Sequence, residues 1–550
     1  MKLSSRKMVI KTSIFNHFIG RARIYLLDHA QLSLALGTVA AYALLKLIFL
    51  SLSGYSLFRL CTFALTLILA LLLAKLTSKS LPQASRIVFL GITTLFSIYL
   101  LASIPSVLPE GIPTIANIEL NLYHWVAPIF GVLSLWRVAF ALPLLTAMLY
   151  QKKLISSLLG IPISVTDYMP VLEFGFMLTT GSIILYLGQK CFNLWQKKHN
   201  DNALHPLDIV MLTAIAAHFS NYFYSGVQKI SISHSLWEWA TQNDTYNLTL
   251  ASLENGSSPI TYLNDSAISS ILDILVSYNT FLNSSILLLQ LISIVVISKI
   301  RWAAITTLLY DVTHLVIFIV SGIFFYKWII LNLLITISLT RLSAFLLPKE
   351  IKAWLIGVVI FSPLIFFVAF LGWYDTPSFN DEYIEAVAFD GKSYRVPSNY
   401  FLSASITFGQ QRIIRNKPGH FPTDAYGSLV ATNLTPKNYK NVKRCLLDGE
   451  PSPRGGLHLK VNDISHLIRN HHKYILSHLN KDGVIDYDLY PHHIFSMPWN
   501  YTDFYDLDKR TIKNYRYVVE SKCLSYSNGT RESTTILRSD FDIPIYDAKY

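Results

Sequence analysis

An all-α polytopic membrane bundle of about 9–11 helices, followed by a soluble α+β C-terminal domain, is the fold class this sequence predicts. Hydrophobic residues make up 52% of the 550 and charged residues only 15%, with a mean hydropathy of +0.40; that balance suits lipid rather than water. Apolar runs of about twenty residues recur, and backbone groups in hydrocarbon must be satisfied within the segment, as a helix does. From Asp375 onward the text changes to balanced charge, many tyrosines and frequent turn signals.

Apolar spans are expected at 31–52, 56–77, 87–108, 125–150, 171–188, 207–226, 283–298, 302–323, 328–347 and 353–374. The domain division follows: a basic N-terminus at 1–30, a transmembrane domain at 31–374 with an extracytoplasmic loop at 228–270, and a soluble extracytoplasmic domain at 375–550. Lys2, Arg6, Lys7, Lys11, Arg21 and Arg23 precede the first span, and no small-residue cleavage site follows it closely. A cleaved signal peptide is therefore not expected.

Basic residues orient the bundle, since loops rich in Lys and Arg stay in the cytoplasm. Lys75–Arg86, Lys152–Lys153, Lys190–Lys198, Lys299–Arg301 and Lys349–Lys352 are placed there, with the N-terminus; the acidic segments 109–123 and 228–270 are placed outside. These assignments conflict if 171–188 crosses once, because basic loops flank it on both sides. A re-entrant or second crossing element at 154–165, where Gly160–Ile163 breaks the helix, resolves the conflict. The last span then delivers the C-terminal domain to the outer (periplasmic) side of a plasma or inner membrane. Sequons at Asn243, Asn247, Asn255, Asn264, Asn433, Asn500 and Asn528 all fall in segments placed outside. In that oxidising setting Cys445 and Cys523 are candidates for a disulfide, against the alternative of two unpaired thiols. The net charge of +12 is accounted for by cytoplasmic loops and the N-terminus, so no nucleic-acid partner is implied.

In the soluble domain, 383–389 and 393–396 flank Asp390-Gly391 as a hairpin, 515–520 reads as a strand, and a helix is expected over 462–479. The segment His478–Leu489 imitates the middle of a calcium loop but lacks the first acid and has Leu489 where a bidentate Glu is required. His458, His466, His471, His472, His478, His492 and His493 match no zinc spacing, so no metal is expected. Walker, nucleophile-elbow and dinucleotide fingerprints are missing, which argues against nucleotide-driven chemistry.

The strongest local signal is Asn221-Tyr-Phe-Tyr-Ser-Gly-Val-Gln-Lys229-Ile230, with Trp237 and Trp239 downstream. Small residues Ser225 and Gly226 near the helix end would set Lys229 at the mouth of the bundle. An amine held partly dry can act as a base; the plainer reading is a lysine that snorkels to the interface. Asp311 and His314, three residues apart inside an apolar span, share a helical face and serve either a functional pathway or structural hydrogen bonding. His218 near Ser220, and His124 with Arg137, favour structural pairing. Asp167 and Glu173 flank a turn ending at Pro170, where Glu173 can complement the helix dipole.

The Tyr-Phe-Tyr-Ser-Gly-Val-Gln-Lys-Ile segment with its downstream Trp, together with Thr-His-Leu-Val-Ile-Phe-Ile-Val-Ser-Gly-Ile-Phe-Phe-Tyr-Lys-Trp at 313–328, resembles the HTTM superfamily, the membrane domains related to vitamin K-dependent γ-glutamyl carboxylase. The likeness covers 171–347 and does not extend into the soluble domain. The resemblance implies that Lys229 matches the base that deprotonates a reduced quinone, ahead of proton removal from glutamate and addition of carbon dioxide. Gln228 stands where a second basic residue is often found in that family. Under this reading Lys229, His314 and Asp311 are the catalytic candidates, Tyr224, Trp237 and Glu173 the substrate-binding ones, and a reduced quinone the cofactor. The partners are the bilayer and a peptide or lipid substrate. Two other classes compete: a non-enzymatic helper that binds or exports a peptide or lipid, and a membrane acyl- or glycosyltransferase using His314 with Asp311 as general base.

Overall fold

The computed structural model describes residues 30–75, 81–102, 113–159, 166–192, 204–404, 419–447, 461–484 and 496–545. Helices α1 (Ala30–Ser51), α2 (Ser56–Ala74) and α3 (Gln83–Ala102) open the bundle. Next, α4 (Thr114–Asn121) passes through a π turn into α5 (Ala127–Leu133), and the chain reverses at residues 134–140 into α6 (Ala141–Leu159). Two long helices follow, α7 (Met169–Phe192) and α8 (Pro206–Ser231); then three short ones, α9 (Glu238–Gln242), α10 (Tyr246–Glu254) and α11 (Asp265–Ser277), make a cap. The bundle is completed by α12 (Asn279–Leu291), α13 (Ser293–Val296), α14 (Ile300–Ser321), α15 (Tyr326–Leu342) and α16 (Lys349–Phe361).

Among the described residues, seven helical stretches are long and apolar enough to cross a bilayer. Large apolar side chains such as Leu47, Leu72 and Trp302 stand more than half exposed on the bundle, the reverse of a water-facing surface. Together these features make a multi-pass membrane architecture.

Two expected spans are corrected. The 125–150 run is not one rod. His124 Nδ1 lies 2.8 Å from the Leu100 carbonyl, while Lys152, 28 residues later, donates to the Tyr99 hydroxyl. Both arms of the 114–159 hairpin therefore reach the same end of α3, and the chain dips in and returns. Ser134 and the Trp136-Arg137 pair break the apolar run at the reversal, and Ser134 Oγ donates to the Gly131 carbonyl at 2.6 Å. Stretch 138–158 has the length and apolarity of a span, yet it is one arm of this hairpin. Lys152 and Lys153 belong to α6 and not to a cytoplasmic loop. The 160–165 part of the expected re-entrant element lies outside the described residues.

The 353–374 run is also divided. Helix α16 ends at Phe361 and a single 3-10 turn (Ser362–Leu364) follows, with Pro363 unable to continue the hydrogen-bond ladder. Residues 365–372 then run without helix or strand along the bundle, with Phe366, Val368 and Ala369 buried. Non-helical backbone at this depth needs protein partners for its amides and carbonyls.

The C-terminal domain, outer only in the sense that it lies outside the bundle, begins with β1 (Trp373–Asp375), β2 (Ser378–Ala388) and β3 (Ser393–Val396), continues through β4 (Ser428–Val430), α17 (Pro436–Lys443), α18 (Val461–Leu476) and α19 (Thr502–Asp506), and ends in the long β5 (Ile512–Ser527) and β6 (Thr530–Pro544). Its main sheet is antiparallel in the order β3-β2-β5-β6, and β1 pairs with β4. The expected 390–391 hairpin forms, with Gly391 at φ +85°. A second hairpin, at Asn528-Gly529, takes φ of 51° and 77°, the geometry that Asn-Gly supplies between twisted strands. Apolar positions of α18 (Ile464, Ile468, Ile475) cover Ile384, Tyr517 and Val519 of the sheet. Cys445 and Cys523 are joined, with Cα atoms 5.7 Å apart across 78 residues. The described part of the calcium-like segment is a turn: Asn480 Oδ1 accepts from the Asp482 and Val484 amides at 3.0 Å each, and Gly483 has φ +77°. Its remainder, and His458, His492 and His493, lie outside the described residues. No metal-holding group of His, Cys, Asp and Glu occurs among the described ones.

His471 and His472 sit in this core, against Tyr400 and Phe401 and against Tyr515 respectively. Burial pulls the two imidazoles down to about 3 and about 4. An unfolded histidine takes up its proton near pH 6.5, so between there and pH 4 the unfolded chain binds more protons. The stabilisation is complete above pH 6.5 and is lost as the pH falls. Proteolysis of the outer domain in the full-length protein is expected to accelerate steeply from pH 6.5 to 4.5, with a flatter profile in His471→Phe. Equal slopes for the two proteins would contradict this assignment.

Candidate functional site at the junction of bundle and outer domain

The cap and the sheet domain meet the same end of the bundle. Glu254 of α10 accepts from Lys522 of β5 at 2.8 Å, and Asp265 of α11 accepts from Arg531 of β6 at 2.8 Å. Asn243, read as a sequon, is fully buried; its amide donates to Asp375 Oδ2 at 3.0 Å, and its Oδ1 accepts from the Asp375 backbone at 2.7 Å. Asn247, Asn255 and Asn433 are likewise buried, whereas Asn264, Asn500 and Asn528 are exposed. Asn255 and Asn433 spend their amides inside the fold as well, on the Ala425 carbonyl at 3.1 Å and the Pro422 carbonyl at 3.2 Å. Burial pushes the Asp375 carboxyl up to about 7.

Residues 365–372 thread past α8, and three side chains one turn apart on that helix hold them. Asn221 Oδ1 accepts from the Ala369 amide at 2.8 Å, Ser225 Oγ donates to the Ala369 carbonyl at 3.2 Å, and Lys229 Nζ donates to the Leu371 carbonyl at 2.7 Å. Deeper in the bundle, Glu173 accepts from the Phe367 amide at 2.9 Å to each oxygen, from Tyr42 at 2.7 Å and from Lys46 at 2.7 Å. Lys46 also donates to the Ile365 carbonyl at 2.8 Å. The backbone of an irregular segment at bilayer depth is thus satisfied by side chains that spaced polar residues on α1, α7 and α8 supply. Gly372 belongs to the same fit: a Cβ there would meet Gln228 at 2.5 Å.

Lys229 is 3% exposed. Its ammonium group lies 5.1 Å from the ring centroids of both Trp239 and Trp373, and it forms no ion pair among the described residues. Trp239 is anchored by donation to the Trp373 carbonyl at 2.7 Å. The snorkelling expectation is not met, since the amine points into the junction and not into water.

His314 and Asp311 occupy a different place. The His314 ring packs on Tyr222, Phe325 and Trp328 at 5.9, 5.3 and 5.9 Å. His218 Nε2 lies 2.9 Å from Asn332 Oδ1, and Asn332 donates to the Tyr222 hydroxyl at 2.9 Å. Tyr222 stacks on Tyr310 at 3.6 Å. This polar and aromatic network ties α8, α14 and α15 together. Lys229 lies seven residues beyond Tyr222 on α8, about 10 Å along the axis, and among the described residues it shares no hydrogen-bond or ring partner with His314. No family model matches this chain, and no curated protein or solved structure matches it either.

The three substrate-binding candidates are likewise scattered. Tyr224 donates to the Ile360 carbonyl, Trp237 stands 42% exposed at the start of α9, and Glu173 is spent on the 365–372 backbone. Sequence reasoning passed over Asn221, Lys46 and Asn332. The signal for Asn221 was available: polar residues at i, i+4 and i+8 (Asn221, Ser225, Lys229) inside an apolar helix mark one face with a partner to satisfy.

Proposed function

We propose that the chain is a membrane-embedded enzyme of the γ-carboxylase-like type, with Lys229 as its base and with the outer domain on the extracytoplasmic side. The observation that supports this reading is an enclosed amine with a single hydrogen bond and no ion pair among the described residues, set between two indole faces where bundle and outer domain meet. A lysine has three donors, so the group is not saturated by Leu371. His314 and Asp311 are assigned to the network that fixes α8 against α14 and α15, not to the reacting group. The orientation is supported by Lys75, Lys190, Lys299, Arg301, Lys349 and Lys352, which lie in the terminal turns of helices or next to them at the end away from the outer domain, and by the disulfide, which suits an oxidising compartment.

A reduced quinone would find an apolar surface at Phe370, which is 53% exposed with its ring 5.4 Å from that of Tyr224, one residue before the Leu371 carbonyl that Lys229 holds. When bound, the quinone would supply the oxygen-derived base for proton removal from a glutamate γ-carbon. The chain's own part is to hold the Lys229 amine dry and oriented by Leu371, Trp239 and Trp373. Purified protein given reduced quinone and oxygen is expected to form quinone epoxide, and Lys229→Ala to reduce this to the protein-free level. Absence of epoxide with every quinone tried, or its survival in the variant, rejects the proposal.

A helper that binds a peptide or lipid is the second reading, favoured by the use of Lys229 as a backbone anchor. In that case Lys229→Ala lowers the thermal midpoint and no preparation makes epoxide.

A further inference from the structure

A separate polar centre lies where the re-entrant hairpin, α3, α7 and α15 converge. Lys327 Nζ donates to Asp167 Oδ2 at 2.6 Å, and the lysine is 2% exposed. Lys152 donates to the Tyr99 hydroxyl. Both ammonium groups lie on the same Tyr99 ring, 4.6 Å from its centroid for Lys152 and 4.8 Å for Lys327. Lys152 also approaches the Tyr168 ring at 5.7 Å, and Lys327 the Tyr326 ring at 4.4 Å. Two lysines thus face one carboxylate, and Asp167 is already within hydrogen-bond reach of Lys327.

An uncompensated charge in so dry a setting is costly. The tyrosine faces offset part of that cost but bring no negative charge. One of the three donors of Lys152 reaches Tyr99, and the other two have no hydrogen-bond partner among the described residues. Its side chain is half-buried, whereas Lys327 is enclosed, so Lys152 is the member of the pair nearer the surface.

We propose that Lys152 and Lys327 form a receptor for an anionic oxygen group of the phosphate class, with Lys152 as the residue that contacts it and Asp167 as the residue that positions Lys327. Tyr99 and Tyr168 wall the site, and Lys153 follows on the same helix. The group is borne either by an acidic phospholipid or by free phosphate; the chemistry of recognition is the same, two ammonium groups and tyrosine hydroxyls against oxygens. This site is independent of any chemistry at Lys229.

The test is the thermal midpoint of the full-length protein in neutral detergent, titrated with phosphatidylglycerol, phosphatidylcholine or inorganic phosphate. Phosphatidylglycerol acting alone identifies a lipid headgroup, and phosphate acting as well identifies a free anion; the expected rise is about 2–4 °C at saturation. Lys152→Gln is expected to lose the rise and Lys152→Arg to retain it. Should Lys152→Gln not fold, native mass spectrometry of the wild type decides: retention of phosphatidylglycerol over phosphatidylcholine is expected. No rise with either anion, a rise undiminished in Lys152→Gln, or no lipid preference overturns the proposal.

Discussion

Glu119→Ala is expected to destabilise the bundle by about 3–5 kcal/mol, the cost of leaving one member of a buried pair alone. Arg59 is 2% exposed and Glu119 fully buried. The guanidinium grips the carboxylate through Nε at 2.6 Å and Nη2 at 3.0 Å, and its remaining donors reach the Ser53 carbonyl at 2.8 Å and Ser56 Oγ at 2.9 Å. Tyr123 donates to the same carboxylate at 2.8 Å. Four of the five guanidinium donors thus have an acceptor, and such saturation is what lets a buried pair be tolerated. Removing Glu119 strands the cation and frees the Tyr123 hydroxyl at once. The double variant Arg59→Met with Glu119→Leu removes both charges and is expected to recover most of the loss. Thermal midpoints in one detergent compare the three proteins; a double variant as weak as Glu119→Ala would show that packing, and not the stranded charge, governs the site. The pair closes the α1–α2 turn onto α4, so its loss is expected to loosen the re-entrant hairpin first.

Reducing the Cys445–Cys523 bridge is expected to cost the outer domain about 4 kcal/mol on the chain-entropy account, since it closes a long loop. The bridge spans 78 residues, tying the turn after α17 to the middle of β5. That turn is otherwise held by Phe421, Leu429 and Val442 as buried apolar contacts, by Ser378 Oγ donating to the Val442 carbonyl at 2.6 Å and by the Lys443–Asp244 ion pair. Cys445→Ser with Cys523→Ser should therefore raise hydrogen exchange in α17, β1 and β4 more than in β5 and β6, which keep their own ladder. Exchange unchanged in α17, or raised uniformly, would count against the assignment. The effect is expected to reach Lys229 indirectly, because Trp373 and Asp375 of β1 pair with β4.

Much of the fold was legible because its signals are local. Lipid demands helices, so twenty-residue apolar runs marked most of the bundle before any contact was known. The Asp390-Gly391 hairpin and the helix in the 460s followed from turn and capping chemistry. The two failures are instructive: the runs at 125–150 and 353–374 are apolar enough to span, and hydropathy does not distinguish a rod from a hairpin or from a buried irregular segment. Ser134-Leu-Trp-Arg137 and Ser362-Pro363 were the only local warnings. Lys152 was misplaced for a related reason, since a count of basic residues does not register a tyrosine ring that shelters an amine.

For the candidate site, the residue types were visible and their grouping was not. Sequence by itself determined that Lys229 ends a helix of small and aromatic residues, that His314 and Asp311 share a helical face, and that two lone cysteines stand in the outer domain. Only the tertiary structure decided that residues 365–372 leave the helix and lie against α8, so that Lys229 meets Leu371, Trp239 and Trp373 while His314 belongs to a network two turns away. The reason is that helix and turn formation depend on neighbours within a few positions, whereas the partner of a buried amine is chosen by packing across more than a hundred residues.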